Sequence, residues 1–226
     1  LLLASIAAVI TSYFFRGTDV LFGFQLEEAW RVKDIFFYVF LGVATGVASI
    51  YFSKMYFLIT RFFERFSNAY VKIGIAAIAI GLMLYFIPPL YGEGYGLINN
   101  LLNGKTAEAL SGIQYAIDFE NVWMVVGILL VIAIFKAIAM TTTFAAGGVG
   151  GIFIPTLFMG SALGNAVAKI INQFGFEVSE SNFTLIGMTG LMAGVLHAPL
   201  TAIFLIAEIT GGYDLFVPLM LVATIS

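Results

Sequence analysis

The sequence predicts an all-α, polytopic membrane protein with tilted and broken helices. Three observations carry that prediction. Hydrophobic residues make up 61% of the 226 residues and charged residues only 10%, with a mean hydropathy of +1.04. A soluble domain carries about 25% charged residues. The apolar residues run in long blocks and do not alternate with polar ones, which excludes the pattern of an outer-membrane barrel. Glycine and proline then interrupt those blocks, most densely at Gly147-Gly148-Val149-Gly150-Gly151-Ile152-Phe153-Ile154-Pro155.

The apolar segments fall at residues 1–15, 35–59, 71–90, 122–140, 152–171, 183–207 and 215–225. A simple span needs ~20 apolar residues, and several of these are shorter. The 183–207 segment is interrupted by Gly187, Gly190, Gly194 and Pro199. Uneven, interrupted segments indicate discontinuous helices that meet near the bilayer midplane, as transporters and channels require. The first segment lacks the positively charged leader of a secretory signal, so it reads as a membrane helix. Both terminal segments reach the chain ends, so residues 1–226 are expected to be a partial transport domain truncated at both ends.

Small residues recur at helical spacing: Gly42, Gly46 and Ser49, then Gly160 and Gly164, then Gly187, Gly190 and Gly194. In lipid such residues let helix backbones approach closely. That reading is preferred here to pore lining. Lys54, Arg61, Arg65 and Lys72 cluster against Glu64 alone, whereas Glu93, Glu108, Asp118 and Glu120 oppose Lys105. Positive connections tend to stay cytoplasmic. Residues 54–72 are therefore placed inside, and residues 91–120 outside as an exposed loop with little part in mechanism.

The charges and missing residue types also remove whole classes of function. A net charge of −3 without a basic stripe gives no nucleic-acid partner. The absence of cysteine removes disulfides and thiolate sites, and a single histidine removes a multi-histidine metal centre. Neither a cofactor nor a metal is expected.

A helix that begins at membrane depth presents unpaired N–H groups and the positive end of its dipole. Non-helical backbone is tolerated at that depth only inside protein or beside water. The stretch Gly148, Gly150, Gly151 to Pro155 is thus a candidate ion-pathway loop, with the backbone amides of Ile152 and Phe153 aimed at an anion. Those two amides are expected to converge on a buried, anion-sized site. A Walker loop needs Gly-Lys-Ser/Thr after its glycines, and a dinucleotide loop needs a soluble βαβ unit. Neither context is present.

Three side chains stand near the loop in sequence. Lys136 lies mid-segment, where a lone ammonium costs about 2.5–3.5 kcal/mol on insertion scales. It must face protein or water, as a helix-to-helix tether or within the anion pathway. Glu208, before Ile209-Thr210-Gly211-Gly212, is a candidate for buried electrostatic support, as an anchor or as a proton relay. His197 precedes Ala198-Pro199 and is read as local to that break, a titrating role being the alternative.

Gly151-Ile152-Phe153-Ile154-Pro155 resembles the GxFxP signature of the CLC chloride channels and proton-coupled chloride transporters. Lys136 and Thr141-Thr142-Thr143 stand before it, and Gly187-Met188, Ala193, His197-Ala198-Pro199-Leu200-Thr201 and Glu208-Ile209-Thr210 follow in the family's order. The resemblance covers the whole chain and the C-terminal half of that family's membrane domain, the second inverted repeat plus adjoining helices. It implies transport of chloride or a similar small anion, as a voltage-gated-type channel or a chloride/proton antiporter. Chloride, protons, the lipid bilayer and a second copy of the chain are the implied partners, in a multi-pass protein of the inner or plasma membrane. By the same resemblance, the serine loop, the gating glutamate and the proton-transfer glutamate would precede Leu1, and the pore tyrosine would follow Ser226. The implied dimer interface uses residues 1–15, 199–207 and 215–225. A fluoride or other halide exporter of the same fold is the alternative. An intramembrane enzyme fits less well, since neither HExxH nor GxSxG occurs, and a non-transporting scaffold leaves the glycine loop without a purpose.

Overall fold

The computed structural model describes residues 2–17, 30–113, 118–210 and 213–226, and among these residues all regular structure is helical. The helices are α1 (Leu2–Arg16), α2 (Ile35–Glu64), α3 (Ala69–Phe86), α4 (Tyr95–Leu102), α5 (Thr106–Ala109), α6 (Val122–Ala145), α7 (Phe153–Gln173), α8 (Glu180–Leu196), α9 (Pro199–Thr210) and α10 (Phe216–Ile225). Four of them, α2 with its leading turn, α3, α6 and α7, are long and apolar enough to cross a membrane. Side-chain oxygens start three helices where the sequence supplies an Asn or Ser. Asn68 Oδ1 accepts from the Tyr70 amide, Asn121 Oδ1 from Trp123 and Met124, and Ser179 Oγ from Asn182.

The antiparallel pair α7 and α8 forms the buried centre, with α2, α6, α9 and α10 around it and α3 outside α6. Glycine makes that centre possible. A Cβ on Gly164 would lie 2.1 Å from the Phe183 carbonyl oxygen, and one on Gly187 would lie 2.5 Å from that of Gly160. The two backbones therefore touch directly, which substitutes dispersion for the hydrophobic drive that lipid does not provide. The same device recurs where Gly190 meets Thr45 and Gly194 meets Ser49, closing α8 on α2. Tight helix contact, and not pore lining, is what these glycines do.

Polar side chains lace the far end of the pair. Asn165 Nδ2 donates to Thr184 Oγ1 at 3.1 Å, Lys169 Nζ to Glu180 Oε2 at 2.6 Å, and Asn172 both donates to and accepts from the Val178 backbone. Trp123 packs edge-on against Phe174, and an Arg31 N–H donates to the Glu177 carbonyl. The starts of α2 and α6 and the α7–α8 turn therefore share one end of the bundle.

The helix break expected before Pro199 is present. His197 ends α8 in the left-handed region (φ 52°), and Pro199 opens α9. Proline is suited there because its missing N–H would be unpaired anyway.

Residues 91–120 differ from the expected exposed loop. Leu97, Ile98, Leu101 and Leu102 of α4 are buried, and α4 packs on both α7 and α8. Gly94, at φ +88°, sits so close to the Phe158 ring that a Cβ would lie 2.1 Å from Cδ2. These four apolar residues form one face of an eight-residue helix, too short to register as a membrane segment. Residues 118–120 are exposed as expected, and 114–117 lie outside the described residues.

Gly164→Ala forces one of two touching backbones aside and is expected to cost about 1–3 kcal/mol. Gly127→Ala, where nothing lies within 4 Å of the added carbon, is expected to be neutral or stabilising. Thermal unfolding of the two variants checks the contrast, and equal effects would contradict the close-contact account.

Candidate functional site

The glycine loop is built by the way α6 stops and α7 starts. After Ala145 the chain turns left-handed at Gly147 (φ +97°). The Gly147 amide donates to the Phe144 carbonyl and the Gly148 amide to the Thr143 carbonyl, each at 2.9 Å. This paired closure is the Schellman arrangement, which satisfies carbonyls a helix end leaves orphaned. Thr141 and Thr143 donate back to Ala137 and Ala139, so their hydroxyl protons are spent inside α6.

The start of α7 is left open. Ile152 is its N-cap and supplies no side-chain acceptor. Phe153 and Ile154 have no intrahelical acceptor for their amides, and Pro155 has no amide to satisfy. The first amide bonded across this turn is that of Thr156, to the Ile152 carbonyl at 3.2 Å. The positive end of a 21-residue helix is thus presented uncapped.

Lys136 is 5% exposed. Its Nζ donates to the carbonyls of Leu90 (3.1 Å) and Gly92 (2.8 Å) and stands 4.5 Å from the centre of the Phe158 ring. Leu90 ends the short 3-10 turn after α3, Pro88–Leu90, and Gly92 lies two residues beyond it. Lys136 therefore caps, from another helix, a chain turn whose carbonyls would otherwise be orphaned. Of the two expected roles, the tether is the one the geometry displays. Its partners were not legible, because backbone carbonyls 44 and 46 residues away leave no mark on composition or spacing. Gly92, Gly94 and Pro88-Pro89 are the only local signal of a chain turning inward there.

Lys136 and the loop share a cavity of about 360 Å³, lined also by Tyr91, Thr143, Gly150, Gly151 and Pro155. Pro155 is the α7 residue that lines it, whereas Ile152 and Phe153 do not, so the Lys136 ammonium supplies the positive charge on this cavity and the uncapped helix start stands beside it. The expectation that the site is enclosed is not met among the described residues: Gly147 to Gly151 are exposed, and Ile152 and Phe153 are half-buried.

Glu208 is likewise not buried in the described chain. It is exposed and accepts from the Tyr213 hydroxyl. Where the sequence leads to an expectation of support at depth, the contact Glu208 makes is an exposed one from the last turn of α9 to Tyr213 beyond it. The contact raises the Tyr213 pKa, since Glu208 holds the phenol proton. His197 is exposed at the α8–α9 break.

Replacing Lys136 by Met leaves the Leu90 and Gly92 carbonyls unpaired, at an expected cost of about 1–3 kcal/mol. Amide hydrogen exchange at residues 90–94 should rise while that of α7 and α8 stays unchanged. Unaltered exchange at 90–94 would contradict the tether.

Comparison with known proteins identifies the family and the fold. The family model for the voltage gated chloride channel matches residues 1–226. The H(+)/Cl(−) exchange transporter ClcA of Vibrio cholerae is 26% identical over 227 residues, covering 97% of this chain and 45% of that protein. The ClcA of Yersinia pestis is 28% identical over 220 residues, covering 95% and 43%. The chain thus spans about half the length of the curated relatives it matches. Among solved structures, a CLC-type fluoride/proton antiporter superposes with a TM-score of 0.74 at 18% identity, covering 99% of this chain and 51% of that one. A slow cyanobacterial Cl−/H+ antiporter also gives 0.74, at 22% identity, covering 97% and 48%. The all-helical fold with its breaks at Gly147 and His197 is therefore the CLC fold, and the chain belongs to the voltage-gated chloride channel family.

Proposed function

We propose that residues 148–155 form one wall of a chloride pathway, with the Ile152 and Phe153 amides as ligands of the ion. The observation that carries this reading is the uncapped start of α7 directly after Gly150 and Gly151, which line a cavity together with Lys136. Neutral amides suit a transported ion, since binding has to be weak enough to allow release. Glycine at 148, 150 and 151 keeps side chains out of the approach to that helix end. Lys136, its ammonium engaged by carbonyls, adds positive potential without grasping the ion directly.

The whole protein is proposed to exchange chloride for protons across the membrane. The two relatives named as H(+)/Cl(−) exchange transporters support this reading. It is tested by reconstituting the full-length protein in liposomes under an imposed chloride gradient. Chloride flux that drives protons against their gradient is the expected result. Chloride flux without proton movement would replace the exchanger with a channel, and a protein that moves fluoride but not chloride would replace the ion. Protein inert to all three would overturn the transport reading.

A second copy of the chain is the proposed partner. Helix α1 is exposed along its length with Leu2, Leu3, Phe14 and Phe15 outward, and Leu200, Phe204, Val217 and Met220 are exposed on α9 and α10. Exposed apolar area of this kind marks either lipid contact or an interface. Light scattering of the detergent-solubilised full-length protein should give the mass of two chains. A monomer mass would contradict the dimer.

A further inference from the structure

The inner ends of α2 and α3 carry a basic surface for which the anion pathway has no use. Lys54, Arg61 and Arg65 fall within about 20° of a common line on α2 at 3.6 residues per turn. All three are exposed. Lys72 adds a fourth cation in the first turn of α3. None of the four makes a side-chain hydrogen bond or an ion pair among the described residues. Glu64 is the one carboxylate between Lys54 and Lys72.

The sequence shows no basic stripe because these cations are seven and four residues apart, and the helix is what aligns them into one; the length of α2 then sets its depth. Counting from Ile35 at 1.5 Å per residue, Lys54 lies about 29 Å along the axis and Arg65 about 45 Å. The hydrocarbon layer is ~30 Å thick and the whole bilayer about 40–45 Å with its headgroups. With Ile35 at the outer hydrocarbon edge, where Phe36 is exposed, Lys54 meets the inner edge. Arg61 and Arg65 then stand in the headgroup zone. Apolar side chains flank the stripe at the same level, with Phe57 61%, Leu58 60% and Phe62 43% exposed. Tyr70, at the start of α3, is exposed as well. Aromatic rings at this depth are the usual anchors of a membrane interface.

We propose that this surface binds anionic phospholipid of the cytoplasmic leaflet, with Arg61 and Arg65 on the phosphodiester and Lys54 reaching up from the hydrocarbon edge. Charge complementarity selects the headgroup, since unpaired cations in a low-dielectric interface attract phosphate more strongly than the same groups in water. Arginine presents a planar fork of donors that fits phosphate oxygens in pairs. The exposed Phe57 and Leu58 supply the contact for the acyl chain. A soluble phosphate would use the charges but leave that apolar flank uncovered.

The full-length protein in detergent is titrated with phosphatidylglycerol and separately with phosphatidylcholine, and retained lipid is counted by native mass spectrometry. Phosphatidylglycerol should be retained in preference, and added salt should weaken the preference. Arg61→Gln together with Arg65→Gln should reduce it about 10- to 30-fold, from about 1 kcal/mol for each basic residue near the surface. Arg61→Lys with Arg65→Lys should keep most of it. Lys105→Gln, on the segment between α4 and α5, should leave it intact. An unchanged preference in the glutamine pair overturns the proposal. Displacement of the lipid by an equal concentration of glycerol phosphate overturns it too, because the site would then be one for soluble phosphate. Should the glutamine pair fail to fold, the wild type under rising salt decides: a preference that survives high salt contradicts the charge-based site.

Discussion

Backbone amides and carbonyls cannot be left unpaired in hydrocarbon, and three departures from helix among the described residues are shaped by that constraint. Where α6 stops, Gly147 and Gly148 return their amides to the Phe144 and Thr143 carbonyls. Where α3 gives way to an inward turn, the carbonyls of Leu90 and Gly92 receive the Lys136 ammonium. Where α8 stops at His197, Pro199 resumes as α9 with no amide to satisfy. The start of α7 has no such solution among the described residues, and the starts of α2, α4, α5 and α10 likewise carry no side-chain cap.

What distinguishes α7 is the glycine loop that leads into its uncapped start. The Ile152 and Phe153 amides are held by a helix whose other contacts leave little freedom. Its neighbour α8 touches it backbone to backbone at Gly160, Gly164 and Gly187. Phe158 is wedged between Gly94 and the Lys136 ammonium. Lys136 thereby joins three elements: α6, which carries it, the turn it caps, and α7 through the Phe158 ring. Preorganised dipoles of this kind stabilise charge without reorganising. The same lysine that makes the inward turn affordable in lipid also adds positive potential to the cavity.

Much of this was legible in the sequence, and the exceptions have physical causes. The long helices, the break before Pro199 and the close-contact glycines follow from hydropathy and spacing, because lipid imposes those patterns locally. Helix α4 was missed because Leu97, Ile98, Leu101 and Leu102 bury one short face inside protein, without crossing the membrane. The partners of Lys136 are backbone carbonyls, which any residue type supplies. Glu208 looked buried because it ends an apolar run, yet its side chain points outward to Tyr213. The glycine loop is exposed although apolar segments flank it, because glycines without side chains bury nothing of their own.

The central claim is that the unsatisfied start of α7 is a ligand for a permeating anion. Bromide carries the charge of chloride and is located directly by its anomalous scattering. Diffraction from crystals of the full-length protein grown in bromide tests the claim at the level of atoms. The account predicts an anomalous peak within hydrogen-bonding distance of the Ile152 and Phe153 amide nitrogens, on the cavity side of Gly150 and Gly151. Bromide bound elsewhere in the membrane domain, with those two amides occupied by protein groups, would contradict it.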